Sequence, residues 1–398
     1  MAPHLSGQNS LRHDFDEIVE RRGTGSAKWN RYPPDVLPMW VADSDFKAPA
    51  PVREVLQAQV EHGVFGYADG FDRALEKAAA HWMVSRFAWA VDPAEVAFSP
   101  GVSATLAVAV TTFAAPGESV LMLTPTYPPF YNLTKLNGRK VLGSSLLPGP
   151  GGAYAIDWPD LEAKMARPDA RLMLLCNPQN PTGRVFVRAE LERLGELCLR
   201  HGITVLSDEI HCDFIAPGRT HIPFASLAPE ISAVTLTGVS PSKTFNIAGL
   251  KTAAVISSNA DLLARFKEAA RRNALENNTA GLLAFHAAYT ACAYYADQIA
   301  AYVRANQKLA VDFINSRVSG IEAYLPEGTY LLWLNCAGLG LTQPELERFF
   351  LEKVKLGLNS GTDFGPEGQG YMRLNLACPR DTVTEALQRL KKACVSGA

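Results

Sequence analysis

The sequence lacks an excess of charge of either sign, and it lacks a long apolar run. Its 398 residues contain 38 Lys and Arg against 40 Asp and Glu, so the formal net charge is -2. A chain so nearly neutral has no basic field to attract nucleic acid or anionic lipid, and neither is an expected partner. No stretch approaches the roughly 20 apolar residues that span a bilayer, and the first residues do not form a secretory signal, so we expect a cytosolic protein without a membrane span.

Cysteine is sparse and shows no pattern. The seven cysteines are scattered from residue 176 to residue 394, with no C-x-x-C pair and no spacing typical of metal ligands. A disulfide framework and a metal site are therefore not expected, and the thiols are predicted to be reduced.

Short β-branched segments alternate with helical stretches between residues 95 and 257. Amphipathic stretches such as 188–201, whose leucines recur at helical spacing, separate the strand candidates. This alternation predicts an α/β fold in which helices cover a large, mostly parallel sheet. The strand candidates are 119–123, 171–175, 203–207, 234–238 and 253–257.

The sequence changes character after residue 281. Residues 282–317 are Ala-rich and predict one long helix that bridges two domains. The elements that follow are typical of a smaller α+β domain. They are strand candidates at 320–324 and 329–335, a helix at 343–355, a strand at 371–376 and a helix at 381–394. The predicted division is an N-terminal segment at 1–45 that packs on the small domain, a large domain at 46–287 and a small domain at 288–398.

Three loops after strand candidates carry polar residues suited to chemistry. N-P-Q-N-P-T-G spans residues 177–183, D-E-I-H spans 208–211 and S-P-S-K spans 240–243. Taken singly, they are explained by a Pro-rich turn, a helix-capping Asp and a surface Lys. Their key side chains are 28 and 35 residues apart, about one βα unit each. Because the carboxyl ends of parallel strands share one sheet edge, all three loops can meet at one site.

These loops resemble those of the fold type I pyridoxal-phosphate superfamily, related to the class I and II aminotransferases. The resemblance implies an aspartate aminotransferase-like fold and pyridoxal 5'-phosphate as the cofactor. It also implies that Asn180 hydrogen-bonds the ring hydroxyl oxygen, Asp208 pairs with the ring nitrogen and Lys243 holds the cofactor as a Schiff base. A carboxylate keeps the ring nitrogen protonated, so that the ring withdraws electrons from the substrate Cα. Lys243, once released by the substrate, is the expected base for the Cα proton.

The same resemblance implies the remaining contacts of the cofactor. S-P-G-V-S-A at residues 99–104 is expected to bind the phosphate where a strand enters a helix, a setting that favours anions. Tyr127 resembles the aromatic that stacks on the ring and is the second catalytic candidate, although a core aromatic is the alternative. Tyr67 resembles the tyrosine that reaches the phosphate of the neighbouring subunit, which implies a homodimer. The expected phosphate ligands are Gly101, Val102, Ser103, Ser240, Ser242 and Lys251, the last standing where aminotransferases typically have Arg.

Two further features resemble the cystathionine β-lyase branch known as the MalY/PatB C-S lyases. They are L-P-M-W-V-A-D-S-D-F at 37–46 and His211, which is placed among the cofactor ligands. The implied activity is β-elimination, in which a small amino acid bearing sulfur at Cβ yields a thiol, pyruvate and ammonia. Arg373 lies inside the last strand candidate, which is costly without an anionic partner. The family uses this Arg for the substrate carboxylate, with Ala42 and Asn180 as the other substrate contacts, and a surface-strand Arg is the alternative.

The sequence departs from this branch at Ser44, where Met is usual, and at Asn359, where Ser is usual. The expected substrate is cystathionine or a related cysteine S-conjugate, and because both segments are expected to line the substrate entrance, these departures favour a specialised cysteine conjugate whose side chain differs from that of cystathionine. An aminotransferase that needs a keto acid would use the same residues and remains an alternative. A racemase, with Tyr127 reprotonating the opposite face, is the second alternative. A homologue without catalysis is disfavoured because the residues of the three loops and Arg373 are intact.

Overall fold

The computed structural model describes residues 12–69 and 71–395. Its strands form three sheets, of two, four and eight strands. The strands in chain order are β1 Leu37–Pro38, β2 Val96–Ser99, β3 Ser119–Thr124, β4 Lys140–Pro148, β5 Tyr154–Ile156, β6 Ala170–Cys176, β7 Thr204–Asp208, β8 Thr235–Val239, β9 Ala253–Ile256, β10 Glu322–Ala323, β11 Leu331–Asn335, β12 Leu356–Gly357, β13 Asn359–Ser360 and β14 Tyr371–Asn375.

Thirteen α-helices lie within the described ranges, together with short 3-10 turns. None of these helices is both long enough and apolar enough to cross a membrane. The helices in chain order are α1 Ala27–Asn30, α2 Ala50–His62, α3 Ala74–Phe87, α4 Val102–Phe113, α5 Pro128–Leu136, α6 Trp158–Met165, α7 Arg188–His201, α8 Pro229–Ser232, α9 Ala260–Arg272, α10 Thr279–Ala291, α11 Ala293–Arg317, α12 Gln343–Arg348 and α13 Arg380–Val395.

The eight-stranded sheet has the order β2-β9-β8-β7-β6-β3-β4-β5. Its centre is parallel, because β3 pairs in parallel with β4 and β6, β6 with β7, and β7 with β8. The antiparallel pairs lie toward the two edges, where β9 contacts β2 and β8, and β5 contacts β4. The predicted α/β fold with a mostly parallel sheet is therefore confirmed.

Helices bury both faces of this sheet, which explains the continuous apolar runs of its central strands. Val120 and Met122 of β3 pack in one cluster with the inner face of α4. Leu121 and Leu123, which alternate with them, pack on the other face with the leucines of α7. Each of these side chains is at most 3% exposed, and burial stabilises each by roughly 1.5–3 kcal/mol.

The C-terminal part forms a four-stranded antiparallel sheet of order β10-β11-β14-β13. The N-terminal segment joins this region, because Leu37–Pro38 pairs in parallel with Leu356–Gly357. Leu37 and Met39 pack in the same apolar cluster as α13. The 37–46 motif is thus held against the C-terminal part of the chain.

Two predicted helices differ from the structure. The single helix expected at 282–317 is two helices, α10 and α11, separated at Cys292, whose φ of -119° and ψ of 22° leave the helical path. The reason is tertiary packing, since Cys292 is fully buried in the core and neither Gly nor Pro marks the break. The helix expected at 343–355 stays α-helical only to Arg348 and continues as a π-helix over Phe349–Val354.

Candidate active site

The three loops singled out in the sequence lie side by side at the carboxyl edge of the large sheet. Cys176 at the end of β6 pairs with Asp208 at the end of β7, and Asp208 pairs with Gly238 of β8. Backbone hydrogen bonds continue past the strands, since Asn177 N donates to Asp208 O at 3.1 Å and Glu209 N donates to Gly238 O at 3.0 Å. Parallel pairing therefore brings the loops together, as their spacing predicts.

A cavity of about 310 Å³ opens at this edge. Segments from both ends of the chain and from its middle line it, so it lies between the large sheet and the C-terminal sheet. Its lining residues are Trp40, Val41, Ala42, Pro100, Gly101, Val102, Ser103, Tyr127, Pro128, Cys176, Asn180, Asp208, Ile210, His211, Ser242, Lys243, Ala248, Lys251, Thr252, Asn359, Phe364 and Arg373.

One end of the cavity is built to receive an anion. Gly101 has a φ of +95°, which a residue with a Cβ rarely adopts, and this turn leads β2 into α4. Val102 and Ser103 begin the helix, where free backbone N–H groups and the helix dipole favour negative charge. Ser242 and Lys251 line the same cavity from the loop after β8. Two hydroxyls, an ammonium group and a helix N-terminus thus face one space.

Asp208 places a buried carboxyl group in the cavity wall. It is 3% exposed, and the backbone N–H of Ile210 donates to its Oδ1 at 3.2 Å. Burial raises the pKa of Asp208 from 3.8 to about 7, while the Ile210 hydrogen bond and the charge of Lys243 oppose that rise. A cationic N–H group in the cavity would stabilise the carboxylate form.

A loop from the N-terminal part of the chain holds Lys243. Its Nζ donates to the carbonyl oxygen of Ala42 at 2.6 Å. Burial lowers the pKa of Lys243 to about 8, against the opposing effect of Asp43. Asp208 also favours the charged amine, whereas Arg373 and Lys251 disfavour it. An amine with this pKa is partly neutral near neutral pH and is able to act as a nucleophile or base.

Arg373 presents its guanidinium group from strand β14. Its Nη1 donates to Asn180 Oδ1 at 3.0 Å, and its Nη2 donates to Asn359 Oδ1 at 2.6 Å and to Trp40 O at 2.8 Å. The Arg373 Cζ lies 4.7 Å from the centre of the Phe364 ring. Burial lowers the pKa of Arg373 to about 10. All its acceptors are neutral, so a bound carboxylate would give this buried cation a charged partner.

Two ring side chains complete the wall. Burial, with the charges of Lys243 and Arg373, holds the pKa of His211 well below its usual range, so the imidazole is neutral. Its Nδ1 is buried and has no hydrogen-bond partner among the residues that the structure describes. Burial raises the pKa of Tyr127 against the opposing effect of the Ser103 hydroxyl, so the phenol stays protonated.

Comparison with known proteins identifies the family. The sequence profile described as "Aminotransferase class I and II" matches residues 35–390. The chain belongs to this family. "Cystathionine beta-lyase PatB" of Bacillus subtilis (strain 168) is 42% identical over 386 residues, which cover 96% of this chain and 99% of PatB. "Protein MalY" of Escherichia coli (strain K12) is 33% identical over 387 residues, covering 96% of this chain and 98% of MalY.

A solved structure shares the whole fold. Cystalysin from Treponema denticola, whose structure contains a pyridoxal 5'-phosphate cofactor, superposes with a TM-score of 0.93 at 32% identity. The match covers 97% of this chain and 100% of cystalysin. The similarity to the aspartate aminotransferase-like fold, expected from the motifs, is confirmed.

The cavity of this class I and II aminotransferase relative fits pyridoxal phosphate. The anion end suits the phosphate, and the Asp208 carboxyl has no ion-pair partner among the described residues, so a protonated ring nitrogen would supply one. Asn180 Oδ1 accepts from Arg373, and the Asn180 Nδ2 amide, which donates no hydrogen bond to the residues that the structure describes, could donate to a ring oxygen. The buried Nδ1 of His211 has no partner in the described part of the chain, so the site also retains unused hydrogen-bonding capacity.

Two predicted ligands do not line the cavity. Ser240 is 4% exposed, and its Oγ donates to Thr252 O at 2.7 Å and accepts from the N–H of Ser242 at 3.1 Å. It therefore shapes the loop that carries Lys243. Tyr67 is 99% exposed and lies outside this cavity.

Several wall residues were not among the predicted ligands. Trp40 lies in the motif that indicated the C-S lyase branch, but nothing in the sequence shows that its carbonyl accepts from Arg373. Phe364 has no sequence signal, because it reaches the cavity only through the fold of the segment between β13 and β14. Cys176 adjoins one predicted loop and Ile210 lies within another, and this position is the signal that could have found them.

Proposed function

We propose that this protein is a pyridoxal-phosphate-dependent C-S lyase that cleaves cystathionine or a related cysteine S-conjugate to a thiol, pyruvate and ammonia. The observation that carries the proposal is the meeting of a half-buried amine, a buried carboxyl and a buried guanidinium in one cavity, at Lys243, Asp208 and Arg373. The names of two relatives of this chain support the lyase activity. PatB of Bacillus subtilis and a protein of Corynebacterium glutamicum are both called cystathionine beta-lyase.

The positions of the side chains support the expected cofactor contacts. Asp208 would pair with the ring nitrogen, Asn180 and His211 would serve the ring substituents, and Tyr127 would lie against the ring, since all four line the cavity. The backbone N–H groups and side chains of the anion end would hold the phosphate. Those residues are Gly101, Val102, Ser103, Ser242 and Lys251, with Ser240 supporting the loop. Bound pyridoxal phosphate supplies an electron sink for the charge that develops at the substrate Cα.

Lys243 is the group that moves the proton. The carbonyl of Ala42 fixes the direction of its amine, and burial keeps its pKa at about 8, so a neutral fraction exists near neutral pH. The amine removes the Cα proton of the substrate, the thiolate leaves from Cβ, and water hydrolyses the remaining aminoacrylate to pyruvate and ammonia. A thiolate is a good leaving group, so the chain needs no strong acid beside the sulfur.

Arg373 orients the substrate. Its guanidinium is fixed by Asn180, Asn359 and Trp40, so little side-chain freedom is lost when a carboxylate binds. With the carboxylate held there and the α-amino group at the cofactor, the Cα–H bond is placed near the Lys243 amine. Ala42 contributes its backbone to the same wall.

The test is a product assay without any keto acid. The purified protein is incubated with cystathionine, S-alkyl cysteines and common amino acids, and thiol, pyruvate and ammonia are measured together. Equal amounts of thiol and pyruvate are expected from the sulfur substrates, and the Lys243→Ala variant should release neither. A strict need for a keto acid would contradict the proposal and indicate an aminotransferase, which the matched family profile makes the second candidate. Loss of optical purity without products would indicate the racemase.

We also propose a homodimer in which Tyr67 completes the neighbouring site. Tyr67 is 99% exposed beside Phe65 at 68% and Val64 and Val60 at 66% each, an apolar patch suited to self-association. Mixing a Tyr67→Ala chain with a Lys243→Ala chain should restore about a quarter of the activity, because half of the random dimers contain one intact site of two. No recovery on mixing would contradict a shared site.

The division at residues 45 and 287 and the cytosolic location remain predictions.

A further inference from the structure

The loop over residues 40–45 holds two side chains of the candidate active site through its backbone. The Trp40 carbonyl accepts from Arg373 Nη2 at 2.8 Å, and the Ala42 carbonyl accepts from Lys243 Nζ at 2.6 Å. A shift of this 40–45 loop would therefore move both the proposed carboxylate ligand and the proposed base. The position of the 40–45 loop therefore helps to determine where the side chains of Arg373 and Lys243 lie.

The 40–45 loop contains no helix or strand, so side chains from elsewhere must fix it. From the C-terminal sheet, Asn375 Nδ2 donates to Val41 O at 2.7 Å and to Asp43 O at 2.9 Å. The Asp45 N–H donates to Ala377 O at 2.9 Å. These contacts hold one side of the loop.

A buried charge cluster from the N-terminal segment holds the other side. Lys28 is 1% exposed, and its Nζ donates to Asp45 Oδ2 at 2.6 Å and to Asp43 O at 3.0 Å. The Trp29 indole Nε1 donates to Asp45 Oδ1 at 2.8 Å. Arg21 adds Nη1 contacts to Asp45 Oδ1 at 2.7 Å and to Ser44 O at 2.9 Å, and an Nη2 contact to Asp43 Oδ2 at 2.8 Å.

Stability alone is a weak explanation for this cluster. Taking a lysine and an aspartate out of water costs several kcal/mol per ion, and apolar side chains of the same volume often stabilise a fold as well or better. What apolar side chains cannot do is fix carbonyl groups in direction. Here three donors converge on a single carboxylate, Asp45, and two of them also bind carbonyls of the 40–45 loop.

We propose that Arg21, Lys28 and Trp29 are positioning residues of the active site, which act through Asp45 to hold the Trp40 and Ala42 carbonyls against Arg373 and Lys243. The effect on substrate binding rests on the proposed function. The effect on the Lys243 amine does not, because it concerns contacts within the chain.

The test uses two substitutions with opposite direct electrostatic effects, Lys28→Met and Asp45→Asn. In the full-length chain without cofactor, the pKa of the Lys243 amine is measured from the pH dependence of its acetylation by acetic anhydride, read by mass spectrometry. The charged groups facing this amine are Asp43, Asp208, Arg373 and Lys251, with neutral His211 beside them. None of these groups is changed by either substitution.

If the cluster acts by position, both variants release the Ala42 carbonyl and move Asp43, so the pKa of Lys243 falls in both, by about half a unit to one unit. If it acts only through space, losing the Lys28 charge raises this pKa and losing the Asp45 charge lowers it. Shifts of opposite sign, or no shift in folded variants, would overturn the proposal.

The holoenzyme gives a second measurement. With a cysteine S-conjugate as substrate, both variants should raise KM about tenfold, as expected for one weakened charged hydrogen bond, while kcat changes by less than about threefold. Leu387→Ala, a buried change in the C-terminal apolar cluster, is the control for lost stability and should leave KM and the Lys243 pKa unchanged. Should the charge variants not fold, Trp29→Phe removes one hydrogen bond and should shift both quantities in the same direction, and unchanged values there would sink the proposal.

Discussion

Replacing Asp208 by Asn should stabilise the cofactor-free chain at alkaline pH while weakening its hold on the cofactor. Asp208 is buried, and one backbone N–H is its hydrogen-bond donor within the described residues. Asn has nearly the same shape but no charge to bury. The carboxylate is thus expected to reduce stability until a cationic ring nitrogen lies beside it.

The magnitude follows from the pKa of Asp208, which burial raises from 3.8 to about 7. A raised pKa means that the folded chain keeps a proton that the unfolded chain loses between about pH 4 and pH 7. Stability supplied by that proton is complete below pH 4 and disappears as the pH rises through 7. At about 1.4 kcal/mol per pKa unit, the wild-type chain loses about 4 kcal/mol across this window, and about 3 kcal/mol of it between pH 5 and pH 8.5.

Urea unfolding of the cofactor-free chains at pH 5 and pH 8.5 measures this difference. The free energy of unfolding of Asp208→Asn minus that of wild type should increase by about 3 kcal/mol between the two pH values. Asp312→Asn, which changes an exposed carboxylate on α11, is the matched control and should show no such increase. A difference that does not depend on pH would refute the reasoning. With pyridoxal phosphate added, the wild-type chain should become more stable than Asp208→Asn, because only the wild-type carboxylate gains a cationic partner.

Other substitutions test the remaining contacts. Arg373→Lys loses the planar guanidinium, which can bind a carboxylate through two N–H groups, and should raise KM about 100-fold with a smaller effect on kcat. An unchanged KM in steady-state assays would show that Arg373 does not bind the substrate. Asn359→Ala removes one of the three acceptors of that guanidinium and should raise KM about tenfold, whereas an effect on kcat alone would contradict this role. Gly101→Ala strains a backbone at φ +95° by about 1–3 kcal/mol and should weaken cofactor binding in equilibrium dialysis. Gly117→Ala, at φ +84° outside the cavity, is its control, and equal losses in both would contradict a phosphate role for Gly101.

The large sheet was predictable because its signals are local. Buried strands such as β3 and β6 are continuous apolar runs, and the polar loops that follow them must share one edge. The break at Cys292 was not predictable in the same way. It depends on how two helices pack in the core, and no local residue type marks it.

The site residues, too, were predictable where the signal is local and not where it depends on tertiary structure. Asp208 and Lys243 directly adjoin strands, so their convergence follows from chain order. The contact between Asn359 and Arg373 depends on the antiparallel register of β13 and β14, which pairs these two residues across the sheet. The resemblance to the C-S lyase branch singles out Asn359 as a departure, but only the register shows that it holds the guanidinium.

The distance along the chain between Trp40 and Arg373, 333 residues, has a consequence for synthesis on the ribosome. The large sheet ends at Ile256, so the loops that carry Asp208 and Lys243 can form while more than a hundred residues are still untranslated. Arg373, in β14, is translated after all of these loops. On the proposed function, a nascent chain therefore completes the loops that would hold the cofactor before it presents the guanidinium that would orient a substrate.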